Sequence, residues 1–251
     1  MGDIRKEEVN KYWKERAGIK DDNVKEVSSS DNSRAIERKN KSNEKIEKMG
    51  IPVCASLPIL EDSMVKDFKS VDDIIKRAIA SLLTIQLACD INEGYDYTES
   101  KNMFSNLLKE FGVENCLNEE EKKIFSGEYT EQDVLNITWE YECYWSLVWA
   151  LGLVDDISIP NSTCDCEKAV TLVSNSKDYE DFKSKCKLRD VYEILDMLDL
   201  YYRYHWACVE KRINPNTNIA DLNDEVVYER RRGLEWLFSE EENWFNISLD
   251  T

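Results

Sequence analysis

The sequence predicts an all-α fold, an irregular multi-helix bundle with long central helices. Three observations predict it. Eight Gly and four Pro are spread over 251 residues, whereas an all-β sandwich needs a turn signal every few residues. Apolar residues recur at helical spacing behind capping residues in several segments. No run of alternating apolar and polar residues is bounded by turn signals as a strand would be. Hydrophobic residues make up 42% of the chain and include seven Trp and twelve Tyr, enough for a core and too much for global disorder.

Residues 3–17 form a charged helix candidate with a thin stripe of Ile4, Val9, Tyr12 and Trp13, closed by Gly18. Residues 19–33 have linker composition. The expected division is therefore a charged N-terminal helix and flexible linker over 1–33, then a helical domain over 34–251. That domain opens with a charged helix from about Ser33 to Met49, carrying a sparse stripe of Ile36, Ile46 and Met49 and stopped by Gly50 and Pro52. The apolar, two-proline segment 51–61 reads as an extended strap over the core.

Ser70-Val-Asp-Asp73 resembles a capping box and opens a wide apolar stripe from Ile74 to Leu87. A shorter amphipathic helix is expected near 99–111, and another turn or two over 119–126. Thr130-Glu-Gln-Asp133 caps a helix running to Gly152 that is apolar nearly all round, so it belongs at the centre. A loop with Pro160 leads to short helices near 165–174 and 178–185. Long helices follow from Asp190 to about Ile213 and from Asn223 to Phe238. The tail 239–251 carries Trp244, Phe245 and Ile247, which require a groove to dock in.

Charge is unevenly placed. The chain's net charge is −18; residues 1–49 carry 13 Lys and Arg against 11 Asp and Glu, and residues 50–251 carry 20 against 40. Such a surface repels nucleic acid and membrane headgroups and attracts a basic partner. MGDIRKEEVNKYWKERAG is charged throughout and lacks the apolar centre of a secretory signal, and the longest apolar run, Cys143 to Val154, is too short to span a bilayer. Eight Cys without a signal peptide suggest free thiols in the cytoplasm. Cys164-Asp165-Cys166 is the one close pair, weak as a metal motif, so no metal is assigned. No Gly-rich phosphate loop, GxSxG or HExxH motif is present, and no cofactor is expected.

The informative residues are polar groups inside apolar helices. Glu140 and Glu142 interrupt a run of Trp and Tyr, and a helix apolar on most sides cannot bring both to water. Candidate partners are Arg203 and His205, set in the aromatic stretch 201–206, and Arg230-Arg231-Arg232 after Tyr228. Three successive Arg cover about 200° of a helix, so one of them, Arg230 or Arg231, faces the core. These residues form either a buried network that fixes helix register or a pocket in which Arg holds an anion while Glu142 or His205 serves as acid or base.

The ordered motifs Arg38-Lys39, Met49-Gly-Ile-Pro-Val53, Leu57-Pro58, Arg77-Ala78, Trp139-Glu-Tyr-Glu142, Ala150-Leu-Gly-Leu153, Lys187-Leu-Arg189, Glu193-Ile-Leu-Asp196, Asp199-Leu-Tyr-Tyr-Arg203-Tyr-His205-Trp206-Ala207, Val227-Tyr-Glu-Arg-Arg231 and Trp236-Leu237 resemble the bacterial domain-of-unknown-function family numbered 4272. The resemblance runs from Arg34 to the end of the sequence and implies no activity. It does imply that Glu142, Arg189, Arg203, His205, Trp206, Tyr228, Arg230 and Arg231 are motif residues. The candidate ligand-binding or buried polar set is accordingly Glu142, Arg189, Arg203, His205, Tyr228, Arg230 and Arg231. The leading expectation is a cytoplasmic interaction or regulatory module binding a basic protein, one form being an immunity-type factor, with no nucleic acid and no membrane as partner. The alternative is a small-molecule binder or enzyme acting on an anionic ligand through Glu142, Arg203, His205 and Arg231.

Overall fold

The computed structural model describes residues 32–251; the helix expected over 3–17 and most of the linker expected over 19–33 lie outside them. Among the described residues every α-helix except the one at Ser33–Lys48 begins at a side chain that accepts from one of its free N–H groups. Helix α1 is Ser33–Lys48, α2 Val71–Glu93 and α3 Tyr97–Glu110. They are followed by α4 (Glu119–Ser126), α5 (Glu131–Ala150) and α6 (Cys166–Ser174). The last three are α7 (Tyr179–Lys185), α8 (Val191–Ile213) and α9 (Asp224–Trp236). Short 3₁₀ turns occupy Asp62–Asp67, Glu114–Cys116 and Trp244–Asn246, and no strand is present among the described residues.

The caps predicted from sequence form. Ser70 Oγ accepts from the Asp73 N–H, and Thr130 and Asp133 complete a reciprocal capping box. Helix α2 continues past Leu87 to Glu93, where Gly94 takes the left-handed conformation at φ 81°. The sparse stripe expected on α1 is corrected: Ile36 is exposed, and the buried face is Ala35, Arg38, Ser42 and Ile46. An arginine buried with its counter-ions replaces the apolar residue that periodicity would seek there.

The helices pack in series. Helix α3 lies on α2, α2 on α5, α5 on α9, α9 on α8, and α1 closes the row on the outer side of α8. The central position of α5 follows from its composition: from Glu142 to Ala150 every side chain is buried. The α5–α9 approach is set by Gly233, where a Cβ would stand 2.7 Å from the Cys143 carbonyl oxygen. The strap 51–61 buries Ile51 and Leu57, and the C-terminal tail buries Trp244 completely.

Candidate functional site

Of the polar groups predicted to lie inside, Glu140 and Glu142 are both buried, and so are Arg230 and Arg231. Arg230 Nε donates to Glu142 Oε2 at 2.8 Å, and the Cys164 N–H donates to Glu142 Oε1 at 2.7 Å. Arg230 also donates to the Ser162 carbonyl at 3.2 Å and to the Tyr201 hydroxyl at 3.4 Å. One guanidinium thus ties α9 to α5, to α8 and to the loop before α6.

Its neighbour Arg231 turns toward α8. Its Nη1 contacts His205 Nδ1 at 2.6 Å and donates to the Leu249 carbonyl at 3.2 Å, while Nη2 donates to Glu235 and the Asp250 carbonyl, each at 3.1 Å. A guanidinium has no acceptor, so Nδ1 accepts and the ring proton is on Nε2. Burial and the Arg231 charge hold His205 down at about 4, leaving it neutral at pH 7. The Tyr228 ring meets the imidazole edge-on at 5.3 Å.

The other predicted residues do not join these. Arg203 makes a bidentate pair with Asp199, one turn earlier on α8, and reaches the Pro58 carbonyl of the strap at 3.3 Å. Arg189, before α8, donates to the carbonyls of Trp149, Val154 and Asp155 and to Glu193. Glu142, Arg203 and the Arg231–His205 pair therefore have different partners in different networks, rather than one convergent pocket.

Two further arginines that sequence reasoning left outside the set behave in the same way. Arg38 pairs with Asp62 at 2.6 Å and Asp196 at 2.8 Å and donates to the Leu60 carbonyl. Arg77 pairs with Glu121 and donates to the Cys116 carbonyl. Both stand in the quoted motifs, and that was the one signal that could have found them. In each of these networks the guanidinium takes a carboxylate from a helix or its flank and a carbonyl from a connecting segment. The buried arginines hold loops and tail to the helix row.

Near Arg77, Glu140 is fully buried and its Oε2 has no hydrogen-bond partner among the described residues, while Trp244 Nε1 donates to Oε1 at 3.3 Å. Burial, with the adjacent Glu121, raises its carboxyl well above the usual range.

A further set of polar groups, one step along α9, lines an open cavity. A cleft of about 420 Å³ opens between α5, α9 and the tail. Trp139 and Phe245 are its aromatic lining, Gln132 and Asn136 its amides, and Glu225, Glu229 and Arg232 its charges. Arg232 donates to Glu229 Oε2 at 2.8 Å and lies 4.9 and 5.1 Å from the Tyr228 and Phe245 ring centres. Glu229 is 8% exposed, and burial, only partly offset by Arg232, raises its carboxyl to about 7. Glu229 was not among the predicted residues; it sits between two of them, Tyr228 and Arg230.

All eight cysteines are free thiols, and no group of three His, Cys, Asp or Glu side chains among the described residues is placed to hold a metal ion. No helix among them is long and apolar enough to cross a membrane.

No curated protein and no solved structure matches the chain. Residues 38–247 match the family model described as a domain of unknown function, DUF4272, and the chain belongs to that family.

Proposed function

We propose that the protein is an interaction module of the reducing cytoplasm that binds a basic protein, with a Lys or Arg side chain of the partner entering the α5–α9 cleft. What carries this reading is the balance of charge in the cleft: two carboxyls, the exposed Glu225 and the buried Glu229, against the single Arg232 that Glu229 holds, with the Trp139 ring on hand for a cation. Arg232 does not supply a free positive charge there, since it is held by Glu229 and two rings. The excess of 40 acidic over 20 basic residues across 50–251 would steer a cationic partner to this surface. The free state of all eight thiols supports a reducing compartment.

Anion binding by the predicted set has weaker support, because the guanidinium groups of Arg203, Arg230 and Arg231 already face protein carboxylates and carbonyls.

The test is a titration with a tetra-arginine peptide at low and at physiological ionic strength, followed by calorimetry. Saturable, salt-sensitive binding is expected. Glu225→Gln with Glu229→Gln should weaken it by about tenfold, one lost charge-assisted contact being worth about 1.5–3 kcal/mol. Glu110→Gln with Glu114→Gln, exposed and outside the cleft, should leave it within about twofold, the scale of a surface charge pair. Absence of binding at low salt overturns the partner class; equal loss in both double variants overturns the cleft as the place of contact.

A further inference from the structure

Helix α1 departs from the acidic balance of the fold. It carries Arg34, Arg38, Lys39, Lys41, Lys45 and Lys48 against Glu37, Glu44 and Glu47. Between α1 and α8 lies a groove of about 240 Å³, separate from the α5–α9 cleft. Its apolar lining is Trp149 from α5 with Met197 and Leu200 from α8, and Lys41 and Lys45 stand over it from α1.

Among the described residues the charges around the groove are paired with one exception. Asp196 accepts from Arg38 at 2.8 Å, Glu193 from Arg189 at 2.9 Å, and Glu37 from Lys41 at 2.7 Å. Lys45 makes no ion pair and no hydrogen bond among the described residues, although the chain has 51 acidic residues to supply a partner. Partial burial lowers its pKa, Asp156 being the one carboxylate that works against this. A half-buried ammonium on an apolar-lined groove, with no carboxylate paired to it among the described residues, is an arrangement that an anion would relieve.

We propose that the groove between α1 and α8 binds a compact organic anion, its carboxylate on the Lys45 ammonium and its apolar body against Trp149, Met197 and Leu200. The volume sets the size class, because drug-sized ligands occupy sites of about 300–1,000 Å³. A body of one aromatic ring or a short branched chain fits; a nucleotide does not. Recognition rests on one charge and on apolar contact, so the head group must be anionic and the body carries no required polar atom. This site is independent of the basic partner proposed above.

Three probes with one body and three head groups test it: 3-phenylpropionate, 3-phenylpropanamide and 3-phenylpropylamine. The readout is the Met197 methyl signal in full-length protein labelled at the methionine methyl groups and assigned through Met197→Leu. The carboxylate is expected to shift that signal saturably at millimolar concentration. The amide should bind about tenfold more weakly, as befits loss of a charge-assisted contact, and the amine more weakly still. Lys45→Met should remove about tenfold of the carboxylate's affinity at unchanged melting temperature, with Lys45→Gln giving the same loss if the Met variant proves less stable. Equal binding of the three probes, tightest binding of the amine, no saturable shift with the carboxylate, or full affinity in both Lys45 variants each overturns the proposal.

Discussion

Arg230 and Glu142 are 88 positions apart in the chain and 2.8 Å apart in the fold, both almost fully buried. The pair is completed by a backbone N–H at Cys164 and a carbonyl at Ser162, so it fixes the loop before α6 as well as the α5–α9 register. Removing one partner leaves the other buried without its counter-ion. Arg230→Met is expected to cost about 3–5 kcal/mol, read by urea denaturation at pH 7. A loss below about 1 kcal/mol would be that of a solvated surface pair.

His205 gives a pH dependence of defined sign. Its folded-state value of about 4 lies below the ordinary 6.5, so the unfolded chain binds the extra proton as pH falls through that interval. The contribution is full above about 6.5 and is lost toward pH 4, to a total of about 3 kcal/mol. Glu229, raised to about 7, acts in the opposite sense: its contribution is present at acid pH and is lost as pH rises from about 4.5 through 7. The two slopes oppose each other, so the comparison must be by difference. His205→Gln, whose amide oxygen can still accept from Arg231, should gain stability relative to wild type as pH is lowered from 7 to 4. Parallel pH profiles for the two proteins would show that His205 does not titrate as placed.

Gly233 permits the close approach of α9 to α5. A Cβ there would lie 2.7 Å from the Cys143 carbonyl oxygen and 3.0 Å from its Cα, both backbone atoms that cannot rotate away. Alanine would gain about 1 kcal/mol of helix propensity, but overpacking costs about 1–3 kcal/mol. Gly233→Ala is expected to destabilise the fold by up to about 2 kcal/mol in chemical denaturation, the overpacking outweighing the propensity gain. A stabilised variant would mean that the two helices can shift apart freely.

Trp244 anchors the C-terminal tail. It is fully buried, meets Trp236 edge-on at 6.2 Å, and gives Glu140 its side-chain hydrogen bond. Trp244→Ala is expected to cost about 3–5 kcal/mol, and amide hydrogen exchange in residues 239–251 should rise with it. Unchanged exchange would leave Arg231, through Leu249 and Asp250, as the sufficient anchor.

The sequence by itself determined what depends on neighbours along the chain. Ser70, Thr130 and Asn223 cap helices through bonds spanning three residues, and such signals need no tertiary partner. The same local periodicity required that a carboxylate on α5 be buried and that an arginine of the 230–232 run face inward. Only the tertiary structure decided which carboxylate each arginine meets. Arg38 looks like a surface residue of a charged helix because the partners that bury it, Asp62 and Asp196, lie 24 and 158 positions away. Adjacent arginines on α9 part company, Arg230 to Glu142, Arg231 to Glu235 and His205, Arg232 to Glu229, because successive side chains point about 100° apart and meet different helices. The α5–α9 cleft and the α1–α8 groove arise where helices distant in sequence pack incompletely, and no spacing within a single helix encodes that.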